Sequence, residues 1–193
     1  MNINLPNKLT LSRVIAIPIF IVLMIFSFYE KYPISIFSIK IDLFRLIAAI
    51  LFVAASITDY FDGKIARERN LITNFGKLMD PLADKMIVIT ALVLLTKNNE
   101  VHYLCTLIVI LRELVISSIR LIALEQGIVI AASYYGKIKT ATQMVSIIMI
   151  LFMIYKINSV FYFLVFFIFY FSTLFVIISL IDYIIKSKKV FLG

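Results

Sequence analysis

Four aspartates interrupt an otherwise apolar chain within one short window: Asp59 and Asp62, then Asp80 and Asp84. The first two are three residues apart and the second two are four apart, so on helices each pair shares a face. Four uncompensated carboxylates brought together in a low-dielectric site repel strongly. All-oxygen clusters of this kind suit hard divalent cations, Mg²⁺ or Mn²⁺. Two such ions sharing carboxylates form a clamp for a phosphoryl-type displacement. Gly63 and Ala66 follow Asp59 by four and seven residues, so both lie on the carboxylate face and leave room for a ligand. Lys64 and Arg67 add countercharge where a phosphate would need it. One such Asp pair alone would read as a solvated helix cap; four at this spacing read as a site.

The elements that must position these residues are membrane spans. The chain has 193 residues, 63% of them hydrophobic and 16% charged, with a mean hydropathy of +1.06. These values exclude an ordinary soluble domain and a disordered chain. The single cysteine, Cys105, excludes internal disulfides and multi-thiolate metal sites. A span needs about 20 mostly apolar residues, and six segments qualify: Leu11–Phe28, Leu43–Thr58, Leu78–Thr96, Val101–Ala123, Thr140–Tyr155 and Val160–Tyr183. The first reads as a span and not as a cleaved signal peptide, because polar residues precede it and no small-residue cleavage site follows. Pro18 inside it predicts a kink or a locally irregular turn. No linker or repeat divides the chain, so residues 1–193 form one domain. Asp59 and Asp62 end the second span and Asp80 and Asp84 open the third, so a helical hairpin gathers all four at one side.

The net charge is +8. On a soluble protein it would suggest nucleic acid; here it sets topology. With the N-terminus in the cytosol, twelve Lys and Arg fall at the inner face (Lys85 among them), against Lys31, Lys40, Lys97 and Lys156 outside. Both termini and the aspartates are therefore expected on the cytosolic side. Tyrosines such as Tyr29, Tyr32, Tyr155 and Tyr183 must supply the interfacial belt, because the chain has no Trp. His102 reads as a surface histidine and Cys105 as a small packing residue. Ser172, Thr173 and Ser179 read as a helix-packing face or the interface of a homodimer.

The window matches in full the pattern D-x₂-D-G-x₂-A-R-x₈-G-x₃-D-x₃-D, and on it the chain resembles the CDP-alcohol phosphotransferase family. That resemblance implies an all-α integral membrane enzyme of six helices with a cytosol-facing site, two Mg²⁺ (or Mn²⁺) ions and a CDP-linked lipid. It makes Asp59, Asp62, Asp80 and Asp84 metal ligands, with Asp84 also the general base. It puts Asn7, Thr10, Gly63, Ala66, Arg67 and Thr73 against the CDP group. Thr10 would otherwise be only a helix N-cap.

Further segments, Leu111-Arg112-Glu113-Leu114, Ile119-Arg120, Gly136 through Gln143 and Leu5-Pro6-Asn7 through Pro18, resemble the bacterial members that make phosphatidylglycerophosphate. The implied partners are CDP-diacylglycerol, sn-glycerol 3-phosphate and the lipids of the bacterial cytoplasmic membrane, with no nucleic acid. Arg112, Arg120, Lys137 and Lys139 would hold the acceptor phosphate, unless they serve as structural ion pairs with Glu113. A cardiolipin-type or phosphatidylinositol-phosphate synthase is the nearest alternative. A cation transporter is remote, because the carboxylates lie at one face and no repeat is visible.

Overall fold

The computed structural model describes residues 5–29, 32–36, 39–68, 74–126 and 133–187. Six helices carry the chain: α1 (Leu5–Ser27), α2 (Leu43–Glu68), α3 (Asn74–Lys97), α4 (Tyr103–Glu125), α5 (Tyr134–Leu151) and α6 (Ser159–Lys186). They match the six apolar segments read from the sequence, and α2 and α3 extend past them to carry the aspartate window. Helix α1 continues through Pro18 without a break in its helical backbone, so the locally irregular turn expected there does not occur.

A short hairpin joins α1 to α2, which the all-α expectation did not contain. Strands β1 (Pro33–Ile36) and β2 (Ile39–Asp42) pair antiparallel, with Ile34 opposite Ile41. Ile39 and Ile41 are buried against Met153, while Lys40 between them is exposed, the period-two alternation of a strand with one covered face. Asp42 then starts α2: its carboxylate accepts from the Phe44 N–H at 2.8 Å and from the Tyr32 N–H at 2.9 Å.

The core runs through the middle of the bundle. Phe20 and Met24 of α1, Phe52 of α2, Leu92 and Leu95 of α3 and Ile147 and Ile150 of α5 are fully buried. Ala48 and Ala49 of α2 and Ala91 of α3, also fully buried, let neighbouring helices approach closely. Along α6, Val165, Phe169 and Val176 are buried, and so are Ser172, Thr173 and Ser179. The hydroxyls of these three bond to carbonyls of their own helix. That small-residue face therefore packs inside the chain. Cys105 is buried as a packing residue, whereas His102 is exposed before α4.

The outside of the bundle is as apolar as the inside. Ile19 and Phe26 of α1, Ile50 of α2, Leu107 and Leu114 of α4 and Phe163 and Phe167 of α6 are all exposed. Helices apolar on every side need an apolar solvent. By length and composition α6 alone among the described residues is long and apolar enough to cross a membrane, with 28 residues and a hydropathy of 2.7. Helix α4 misses that standard because Arg112, Glu113 and Arg120 lie within it.

Helix α5 stops at Leu151, four residues before the expected end. Arg45 of α2 meets that end: its guanidinium donates to the carbonyls of Ile150 and Leu151 at 2.9 and 3.0 Å, and the Ile150 carbonyl also accepts from the Met153 N–H. The same guanidinium grips both Glu100 oxygens at 2.6 Å, a bidentate pair that ties α2, the α3–α4 turn and α5 together. Met153 then takes a left-handed conformation (φ 56°) and a 3₁₀ turn over Ile154–Lys156 leads to α6, capped by Asn158 accepting from the Phe161 N–H.

Candidate active site

The aspartate window occupies the end of α2 and the opening of α3. Both stretches are helical, so Asp59 and Asp62 share one face of α2, and Asp80 and Asp84 share one face of α3. The side chains of Asp59, Asp62, Gly63, Ala66, Arg67, Asp80 and Asp84, and those of Asn7 and Thr10 on α1, lie outside the described residues; so does Thr73 altogether. The described side chains begin at Lys85, immediately after Asp84, and there a dense group of charges starts.

Its hub is Glu113, with a side chain only 8% exposed. Oε1 accepts from Arg112 Nη1 at 2.7 Å and from Lys139 Nζ at 2.7 Å, while Oε2 lies 3.3 Å from Lys85 Nζ. Lys85 also donates to the Ser117 hydroxyl at 2.6 Å, and that hydroxyl bonds back to the Glu113 carbonyl. Arg112 Nε donates to Ser179 of α6 at 3.2 Å. One carboxylate thus orders three cations from α3, α4 and α5. The group keeps a net positive charge.

Two clefts open beside this group. The wider, about 660 Å³, is lined by Lys85, Arg112, Arg120, Lys137, Gly136 and Tyr183 among others, with no carboxylate among its described lining residues. The narrower, about 240 Å³, holds Glu113, Lys139 and Gln143 and shares Lys85, Arg112, Thr140 and Met144 with the first. Three of the four residues expected to hold an acceptor phosphate, Arg112, Arg120 and Lys137, therefore line one cleft. Lys139 does not join them; it is buried against Glu113 in the narrower part. Four cations on one concave surface suit a doubly charged phosphate, which presents them with acceptor oxygens.

Local backbone chemistry keeps the wider cleft open. Ser133 caps α5 by accepting from the Gly136 N–H at 3.1 Å. Gly136 suits a close approach: a β-carbon there would lie 3.2 Å from Arg112 Nη2 and 3.3 Å from Ser133 Oγ, so one of them would have to give way. The glycine lets the guanidinium rest against the first turn of α5.

Three participants escape a reading of the sequence. Lys85 counts there only toward topology, although it directly follows Asp84. Gln143 stands one helical turn beyond Lys139, a spacing that gives a signal only once Lys139 is known to face inward. Tyr183, taken as a belt residue, is brought to the cleft by the packing of α6, which no local pattern encodes. Gln143 Nε2 and the Tyr183 hydroxyl are buried without hydrogen-bond partners, each a penalty of about 1–3 kcal/mol in the fold as it stands.

Comparison with known proteins shows the family. The profile of the CDP-alcohol phosphatidyltransferase family matches residues 3–178. A CDP-diacylglycerol–glycerol-3-phosphate 3-phosphatidyltransferase of Bacillus subtilis is 42% identical over 144 residues, covering 75% of this chain and 74% of that protein. Proteins of the same name from Rickettsia bellii and Salmonella paratyphi A are 40% and 38% identical, over 73% and 76% of this chain and 71% and 76% of their own lengths.

Proposed function

The chain belongs to the CDP-alcohol phosphatidyltransferase family, and from that premise we propose that it transfers the phosphatidyl group of CDP-diacylglycerol to sn-glycerol 3-phosphate, giving phosphatidylglycerophosphate and CMP. Membership makes it a metal-dependent, membrane-embedded phosphotransferase. The observation that carries the choice of a phosphorylated acceptor is the wide cleft of Lys85, Arg112, Arg120 and Lys137, which begins one residue after Asp84. The names of the relatives support sn-glycerol 3-phosphate among such acceptors. An acceptor with its own phosphate needs such a cleft; an uncharged alcohol does not.

The donor set suits two Mg²⁺ ions: four carboxylates in two helical pairs, hard oxygens throughout. Asp59, Asp62, Asp80 and Asp84 would hold them. When bound, the ions offset the charge of the diphosphate and make its phosphorus more electrophilic. Arg67, Gly63 and Ala66 line the CDP group together with Asn7, Thr10 and Thr73. The cleft cations hold the acceptor phosphate and so orient the glycerol toward α3. Asp84 takes the proton from its primary hydroxyl. That oxygen bonds to the lipid-bearing phosphorus as the bond to CMP breaks, and CMP leaves with the bridging oxygen.

All six helices cross the cytoplasmic membrane of a bacterium in this reading, with both termini and the site facing the cytosol. Twelve inner against four outer basic residues support that orientation, and the exposed apolar side chains supply the lipid-facing surface. The lipid enters sideways with its acyl chains still in the leaflet.

The test is purified protein with CDP-diacylglycerol, Mg²⁺ and one candidate alcohol at a time, following CMP. Release with sn-glycerol 3-phosphate is expected, and a chelator should stop it. Release only with phosphatidylglycerol or with inositol phosphate would replace the acceptor; activity that survives chelation would remove the metal ions. A finer check uses Gly136→Ala. Its β-carbon must displace Arg112 or Ser133 by a few tenths of an ångström, so the acceptor KM should rise about tenfold, equivalent to roughly 1.4 kcal/mol. The KM for CDP-diacylglycerol should stay unchanged, and an equal rise in both would show that the glycine serves the fold alone.

A further inference from the structure

Among the described residues only two buried side-chain polar atoms lack a hydrogen-bond partner, Gln143 Nε2 and the Tyr183 hydroxyl. Both residues line the joined clefts that gather the cations. Elsewhere in the bundle the buried hydroxyls of Ser146, Ser172, Thr173 and Ser179 all bond to backbone carbonyls. Orphaned polar groups are rare in native cores, and each one asks for a partner that the free chain does not supply.

The two residues stand at different ends. Tyr183 lies in the wide part with Arg120 and Lys137, where no carboxylate is among the described lining residues. Gln143, 2% exposed, lies in the narrow part, where Glu113 is already matched by Lys139 and Arg112. Arg120 and Lys137, without a salt bridge among the described residues, suit a phosphate; a compensated wall with a spare amide N–H takes an uncharged oxygen. The two parts adjoin through Lys85, Arg112, Thr140 and Met144, and a small molecule with a phosphate at one end and hydroxyls at the other matches the chemistry of both.

We propose that Tyr183 and Gln143 are specificity-determining residues for the acceptor, Tyr183 donating its hydroxyl proton to the phosphate and Gln143 donating an amide N–H to the hydroxyl that does not react. The inference rests on the acceptor reading given above. A site that hydrogen-bonds a substrate hydroxyl rejects the analogue lacking it far more sharply than an apolar pocket rejects a missing methylene.

The experiment uses the full chain in detergent with saturating CDP-diacylglycerol and Mg²⁺. CMP release is followed with sn-glycerol 3-phosphate and with 3-hydroxypropyl phosphate, which lacks only the middle hydroxyl. The native protein should favour the first in kcat/KM by about tenfold or more. Gln143→Met should bring the first down to the level of the second and leave the second within about twofold. Tyr183→Phe should raise both KM values by the same factor, several-fold, with kcat unchanged. Neither variant should lower the melting temperature without acceptor, because Gln143 Nε2 and the Tyr183 hydroxyl, the donors that are lost, have no partner in the fold.

Loss of activity with both acceptors in Gln143→Met, an unchanged preference, or a lowered melting temperature would overturn the proposal and leave the transfer reaction standing. A native protein that releases CMP with neither compound, yet does so with phosphatidylglycerol, would overturn the acceptor reading and this inference with it.

Discussion

Replacing Asp84 by asparagine is expected to slow CMP release by about 10²–10⁴-fold, the contribution of a positioned general base. Asparagine keeps the size and one oxygen of aspartate, but its amide cannot accept the proton of the attacking hydroxyl. The other three aspartates stay in place, so CDP-diacylglycerol should still bind with nearly native affinity, measurable by calorimetry in detergent. The combination of bound lipid and lost turnover is what assigns Asp84 to proton transfer. Turnover near the native rate would remove it from that role. Loss of lipid binding by the same factor as turnover would make it a ligand only.

Glu113→Ala should be the most destabilising single change in the described site, by about 3–5 kcal/mol, the usual result of removing one partner from a buried ion pair. Glu113 is the shared counterion of Lys139 and Arg112, whose side chains are 6% and 11% exposed, and it also faces Lys85. Without it three cations from three helices face each other in a compact interior. Denaturant unfolding in micelles measures the effect. Adding Lys139→Met to the same chain should recover a substantial part of the loss, because it removes the most deeply buried of the stranded charges. The two changes therefore should not add. An unfolding midpoint unmoved by Glu113→Ala would mean that solvent already screens the group, and that the cleft cations are held by something else.

These two expectations draw on different layers of the molecule. Asp84 was legible in the sequence, because four carboxylates at spacings of three and four, with Gly63, Ala66 and Arg67 in register, form a local pattern on two consecutive helices. Local patterns survive reading in one dimension: helical periodicity alone decides which residues share a face. Glu113 was legible as a possible counterion of the nearby cations, but not as the hub of three of them. Its importance comes from Lys85 and Lys139, 28 and 26 residues away in sequence, and no periodicity links positions on three separate helices.

The departures from expectation have the same origin. The end of α5 at Leu151 is met by Arg45, more than a hundred residues earlier, capping its carbonyls. An apolar run that continues to Tyr155 gives no hint of that cap. The hairpin before α2 is short, and its alternation over Ile39–Asp42 is too brief to stand out beside a long apolar helix.

By itself, then, the sequence determined a helical membrane chain, its number of long elements, the spacing of the four aspartates and the family to which the chain belongs. Hydrophobic runs and i, i+3 and i, i+4 spacings are properties of neighbours along the chain, and neighbours are what a sequence records. Tertiary structure alone decided how the leftover cations divide. Arg120 and Lys137 line an open cleft, Lys85 and Arg112 line it while pairing with Glu113, and Lys139 is turned away from it to Glu113. Structure alone also brought Gln143 and Tyr183 beside them without partners. Which charges are compensated and which stay free for a phosphate depends on distances of a few ångströms between helices far apart in sequence. Packing sets those distances.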